Sequence, residues 1–87
     1  MEKLFVGEAI VLEYGSFSKW GHITEIKATS DDKGYIVLSN EDYSYKLFLT
    51  SGDSLQFIQV DEDEYDDYVT TNYYTVEKIC DNEIILS

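Results

Sequence analysis

The chain has no arginine and no proline, and only one cysteine, one histidine and one tryptophan among its 87 residues. Each shortage excludes something. Without arginine there is no planar five-donor fork to grip phosphates, and six lysines face 18 acidic residues for a formal net charge of -12. Direct nucleic-acid binding is therefore not expected. With Cys80 as the sole thiol no internal disulfide can form, and the expected compartment is a reducing cytoplasm. His22 and Cys80, the only imidazole and the only thiol, belong to no nucleophile, base and orienter set. Cys80, beside Ile79 in an apolar stretch, reads instead as a small core residue. Glu8 and Glu13 come closest to a paired-carboxylate arrangement, but no His, Arg or metal partner tunes them. Gly7, Gly15, Gly21, Gly34 and Gly52 are scattered as turn residues and make no phosphate-cradling loop. The expectation is a protein that is not an enzyme and holds no cofactor. The opening stretch through Leu12 is too short and too charged for a signal peptide or a membrane span, so no membrane partner is expected.

What is present is enough to fold. The chain is 44% hydrophobic and 15% aromatic, with eight Tyr and four Phe, which is too apolar for an acidic disordered tail. Its length suits one domain (residues 1–87) with one modest core and no deep pocket. No proline-rich or Gly/Ser-rich linker divides it, and no segment repeats another.

The apolar pattern reads as short strands. Residues 8–14 form an apolar run between Gly7 and Gly15. Residues 21–27 keep strand composition but change parity between Ile23 and Ile26, which predicts a bulge. Asp31-Asp32-Lys33-Gly34 is a turn before Tyr35-Ile36-Val37-Leu38, and Asn40-Glu41-Asp42 turns the chain again. The alternation is cleanest next: Tyr43, Tyr45, Leu47 and Leu49 share one face, with Ser44, Lys46, Phe48 and Thr50 on the other. Ser51-Gly52-Asp53 precedes a run from Leu55 to Val60, and residues 73–80 pair with 83–86 as a hairpin across Asp81-Asn82. Strands about ten residues apart predict a mainly β fold: a small antiparallel, strongly curved sheet or an SH3-like barrel.

Among the aromatics, Phe48, Phe57 and Tyr45 fall in strong strand candidates and read as core. Phe17 and Trp20 fall in a turn-like segment, residues 15–21, where they either cap the core or meet a partner, and the cap is favoured. Of Tyr73 and Tyr74, neighbours on a strand, at least one should reach the surface.

Charge is concentrated. Asp61, Glu62, Asp63, Glu64, Asp66 and Asp67, interrupted only by Tyr65, carry -6, half the total, and Tyr68 follows. Such density opposes folding by self-repulsion and is more readily explained by a cationic partner. The segment reads as a loop, a strand extension or one or two helical turns, with the loop carrying a short helical turn favoured. Two other acidic turns, Asp31-Asp32 and Glu41-Asp42, are expected to add to its field. Carboxylates roughly 3.3 Å apart per residue on an extended backbone, or about 5–6 Å apart on a helix face, match the charge spacing of a nucleic-acid strand. Tyr65 and Tyr68 would add flat contact area. The partner-binding set is therefore Asp61, Glu62, Asp63, Glu64, Tyr65, Asp66, Asp67, Tyr68, Glu41 and Asp42. A calcium loop is the competing use of these acids. Counting from Asp61, its sixth position would need Gly and its twelfth Glu, where the chain has Asp66 and Asn72, so no metal site is assigned.

In size, charge and a clustered acidic run interleaved with tyrosines, the chain resembles the small phage-encoded inhibitors that mimic DNA, among them anti-restriction and anti-CRISPR proteins. That resemblance implies a stoichiometric inhibitor that occupies a nucleic-acid-binding groove of a basic protein, such as a nuclease, in a bacterial cytoplasm. It is a resemblance of character and transfers no residue roles. A nuclease immunity protein fits the same features. An SH3-like adaptor taking a protein ligand on Trp20, Phe17 and tyrosines is the alternative of another class, and a small-molecule sequestering oligomer with tyrosine-lined pockets is a third.

Overall fold

Apolar residues at every second position bury one face of most of the strands, and eight strands build the fold. The computed structural model describes residues 2–60 and 72–87. The strands are β1 (Glu2–Phe5), β2 (Ala9–Tyr14), β3 (Phe17–Ala28), β4 (Lys33–Ser39), β5 (Ser44–Thr50), β6 (Ser54–Gln59), β7 (Tyr73–Cys80) and β8 (Glu83–Leu86). All pair antiparallel in one sheet of order β1-β8-β7-β6-β2-β3-β4-β5. There is no helix among the described residues, and the sheet does not close into a barrel. Of the two forms expected, the strongly curved open sheet is the one adopted.

Curvature brings β7 over β3, β4 and β5, so one inner face packs on itself. Ile10 and Leu12 from β2, Ile36 and Leu38 from β4, Leu49, Leu55, Phe57, Ile84 and Leu86 meet there, all buried. In β3 and β7 the inward residues are three apart rather than two: Ile23 and Ile26, Val76 and Ile79. Each strand regains its parity through a register shift, between Ile23 and Glu25 in β3 and between Val76 and Lys78 in β7. The first bulge stands where the sequence predicts it.

Backbone bonds stitch the overlap: Asn82 N donates to Ile26 O (2.9 Å), Gly52 N to Val76 O (2.7 Å) and Val76 N to Asp53 O (2.8 Å). Gly34 marks the tightest approach, because a Cβ there would overlap the Lys27 carbonyl and the Ile79 Cγ2 atom. Asn82 turns the β7–β8 hairpin with φ of 74°, a conformation asparagine tolerates.

The alternation in β5 holds, with Leu49 2% exposed and Leu47 half-buried. Phe48, expected in the core, is 66% exposed, because it shares the outward face with Ser44, Lys46 and Thr50. Phe57 is core as expected, and Tyr45 is half-buried. Phe17 and Trp20 lie inside β3 and not in a turn segment: Tyr14 already pairs with Phe17, so Gly15, at φ of 58°, and Ser16 complete the turn alone. Phe17 packs against the core and edge-on to Tyr45, at 5.6 Å between ring centroids. Tyr73 is 72% exposed, whereas Tyr74 packs at 5.0 Å on Phe57. Cys80 is half-buried and free, since Ile79 takes the inward position beside it.

Candidate functional site

Cross-strand register decides which acids can act together. Ser39 pairs with His22 and His22 with Ala9, while Ile10 pairs with Gln59. The end of β4, the start of β2 and the end of β6 thus lie along one end of the sheet. Buried Val60 is fixed there, its N–H donating to Ala9 O at 3.0 Å. The acidic run begins at the next residue in the sequence. Asp61, Glu62, Asp63, Glu64, Tyr65, Asp66, Asp67 and Tyr68, with the helical turn expected among them, lie outside the described residues.

Glu41 and Asp42, the two candidate residues that are described, sit at this same end of the sheet. Their turn is built by Asn40, whose Oδ1 accepts from Asp42 N (2.9 Å) and Tyr43 N (3.0 Å), and whose Nδ2 donates to Trp20 O (2.8 Å). Gly21 lets the strands close up there, since a Cβ on it would meet Ser39 O at 2.8 Å. Both carboxylate-bearing residues are exposed. Asp31 and Asp32 do not join them. They precede β4 whereas Glu41 and Asp42 follow it, and seven residues of strand separate the two turns by roughly 20 Å.

Between β3 and the Asn40 turn runs an open groove of about 380 Å³, lined by Trp20, His22, Thr24, Ser39, Asn40 and Glu41. The Trp20 and His22 rings meet at 5.9 Å with 65° between their planes. Beside it, Thr24 Oγ1 and Ser39 Oγ lie 3.3 Å apart, and Ser39 Oγ and Ser44 Oγ 2.9 Å. Of these lining residues only Trp20 and Glu41 stand out in the sequence as binding candidates. His22, Thr24, Ser39 and Asn40 join them only through the β3–β4 register, which no local sequence signal announces.

Among the described residues few acids are neutralised by cations. Among the described residues the one ion pair is Lys3–Glu83, at 3.8 Å and part-exposed. Lys19 and Lys46 place their ammonium groups over aromatic rings instead, Lys19 Nζ 5.3 Å from the Tyr45 centroid and Lys46 Nζ 4.4 Å from that of Tyr35. Among the described residues five acids accept hydrogen bonds: Asp32 from Ser30 Oγ, Asp81 from Ala28 N, and three more. Glu8 accepts from Phe5 N at 2.6 Å and from the Gln59 amide. Asp53 Oδ2 accepts from Tyr14 Oη (2.7 Å) and Thr50 N (2.8 Å). Glu25 accepts from Tyr35 Oη at 3.0 Å. The bonds to Asp53 and Glu25 hold the Tyr14 and Tyr35 hydroxyls above the ordinary tyrosine pKa, with desolvation and the nearby negative charge adding to the effect.

A second depression, of about 460 Å³, lies between the β3–β4 turn and the β7–β8 hairpin and is lined by Asp31, Lys78, Cys80 and Asp81 among others. Asp81 is already occupied there, accepting from Ala28 N at 3.1 Å. Among the described residues no group of three or more His, Cys, Asp or Glu is arranged to hold a metal ion. No helix among them is long and apolar enough to cross a membrane. No protein-family model, curated protein or solved structure matches the chain.

Proposed function

We propose that this protein is an acidic inhibitor that binds a basic, nucleic-acid-binding surface of another protein by charge mimicry, in the manner of phage-encoded anti-defence proteins acting in a bacterial cytoplasm. The observation that carries the reading is the charge: -12 in 87 residues, half of it within residues 61–67. Support comes from the end of the sheet at which that run begins, where Glu41 and Asp42 are exposed on a turn held by Asn40. The scarcity of compensating cations points the same way, since the two lysines over Tyr45 and Tyr35 are engaged with rings. A fold that merely needed to be soluble would gain from interspersed charges of both signs, not from a pole.

The test starts with affinity capture from a bacterial lysate at moderate salt. The captured partner is then titrated with the natural protein and with a variant carrying Asp63→Asn, Glu64→Gln, Asp66→Asn and Asp67→Asn. Four charges vanish while shape is nearly conserved. Close charge pairs can each contribute roughly 1.5–7 kcal/mol and exposed rim pairs much less, so affinity should fall at least about tenfold. DNA or RNA should compete for the partner, and binding should weaken as salt rises. Unchanged affinity together with no competition by nucleic acid would falsify the mimic reading. A second reading, an adaptor that takes a protein ligand on surface aromatics, draws on the exposure of Tyr43 and Tyr73 and the groove at Trp20. Such an adaptor would bind its ligand equally well after neutralisation of the acidic run.

A further inference from the structure

We propose that β5 is a self-association edge, at which a second copy of this chain adds its own β5 antiparallel and joins the two sheets into one. The inference is independent of the charge-mimicry reading and concerns a different part of the molecule.

Strand order makes β1 and β5 the two edges of the sheet. β1 has four residues, Glu2 and Lys3 among them, and is short and charged in the way that edges are usually guarded. β5 has seven, pairs with β4 without a bulge, and contains neither proline nor an acid. In a chain of net charge -12 its one charge is positive, at Lys46. Even that lysine does not guard the edge. Its ammonium lies 4.4 Å from the Tyr35 centroid, over the neighbouring strand of its own sheet. Phe48 stands on the same face and is exposed.

The ladder shows which backbone groups are left over. Asn40 N donates to Tyr43 O (2.9 Å) at one end of the β4–β5 hairpin, and Ser51 N to Asp32 O (2.7 Å) at the other. Bonded pairs alternate with non-bonded ones in an antiparallel ladder, so counting by twos from either end makes Tyr45, Leu47 and Leu49 the residues bonded to β4. The N–H and C=O groups of Ser44, Lys46, Phe48 and Thr50 therefore point away from it. Thr50 is already engaged, its N–H donating to Asp53 Oδ2 and its carbonyl accepting from Asp53 N. Ser44, Lys46 and Phe48 have no backbone partner on that side among the described residues.

A second β5 satisfies them. With the two-fold axis at Leu47, Lys46 of each copy exchanges both hydrogen bonds with Phe48 of the other, and the half-buried Leu47 side chains meet across the axis. Each ammonium then lies beside the second copy's phenyl ring. An axis at Lys46 would instead set two ammonium groups opposite each other. The strand is thus complementary to itself in one register, and its lack of acids keeps carboxylate repulsion off the seam.

Sedimentation equilibrium would follow the full chain over a concentration series at about 20 mM and about 500 mM salt. Expected is a reversible monomer–dimer association that tightens as salt screens the repulsion between two copies of charge -12. Binding to a basic partner has the opposite salt trend, so either reading can fail while the other stands. Amide exchange of Lys46 and Phe48 should slow at least about tenfold as the dimer forms. Phe48→Lys, at an exposed site that leaves the core untouched, sets like charges opposite each other twice across the seam and should weaken the dimer at least about fivefold. Tyr73→Lys, the same charge change at an exposed position of β7, should leave it within about twofold. Adding Lys46→Glu to Phe48→Lys makes both cross-seam pairs opposite in charge and should restore association. A protein monomeric at every salt, exchange at Lys46 and Phe48 that ignores concentration, equal effects of the two lysine substitutions, or no rescue by the double variant would each overturn the proposal.

Discussion

Replacing Asp53 should reveal how much a single carboxylate contributes to closing the sheet. Its Oδ2 atom accepts from Thr50 N at 2.8 Å and from Tyr14 Oη at 2.7 Å, so the β5–β6 turn and the end of β2 are joined through one oxygen. Asp53→Ala removes the acceptor for both donors. Hydrogen bonds to a charged group contribute about 1.5–3 kcal/mol, and because the site is only half-buried, water recovers part of this, leaving an expected loss of about 1.5–2.5 kcal/mol. For a chain of this length that corresponds to a fall in Tm of roughly 6–20 °C. Asp53→Asn can place its carbonyl oxygen where both donors already point and loses only the charge, so it should cost about 0.5–1 kcal/mol. Alkaline pH supplies an independent check. The bond to Asp53 raises the Tyr14 pKa above its ordinary value of 10.0. The neutral hydroxyl is the form favoured by folding, so its contribution is complete below that value and disappears as pH rises through the higher, folded-state pKa. Urea unfolding of the three proteins at neutral pH and across the alkaline limb measures both effects. Stability of Asp53→Ala within about 0.3 kcal/mol of the natural protein, or an Asn variant as damaged as the Ala one, would refute the reasoning.

Gly34→Ala should destabilise by about 1–3 kcal/mol, since the added methyl meets the Lys27 carbonyl and Ile79 Cγ2 where β7 crosses β4; chemical denaturation reads this directly, and a neutral effect would mean that the crossing is loose. The isolated protein should gain thermal stability between about 10 mM and 150 mM salt as repulsion within a chain of net charge -12 is screened. A flat or falling melting temperature over that range would show that the acids are already compensated.

Much of the sheet was legible because its signals are local. Period-two alternation gives the two faces of β5, the three-residue spacing of Ile23 and Ile26 gives the bulge in β3, and Asp81-Asn82 gives the last hairpin. The same spacing of Val76 and Ile79 carries a second bulge that was open to the same argument. β1 escaped because four residues with one buried side chain, Leu4, have no periodicity to read, and the strand exists only by pairing with β8 across the whole chain. Phe48 was assigned by hydrophobicity against its own strand's alternation, and alternation prevailed. That Asp31-Asp32 and Glu41-Asp42 stand at opposite ends of β4 follows from the strand between them, since turns that bound one strand stand at its two ends. The groove at Trp20 needed the β3–β4 register, a tertiary fact. The main part of the candidate site, residues 61–68, lies outside the described residues.

The strand order also carries an expectation about the order of events in folding. β2, β3, β4 and β5 are joined by short turns in a meander of neighbours, whereas β6 must return to β2, and β1 must find β8, with Glu2 opposite Leu86. Local hairpins close in microseconds, but pairings between the two ends of a chain wait for everything between them. Contact order therefore predicts a nucleus in the meander and late docking of β1. On that expectation, shortening the fully buried Leu4 should mainly speed unfolding, so that β1 serves as a latch on the lifetime of the native state, whereas substitutions in the β3–β4 hairpin should mainly slow folding; stopped-flow folding and unfolding rates of the two kinds of variant check this.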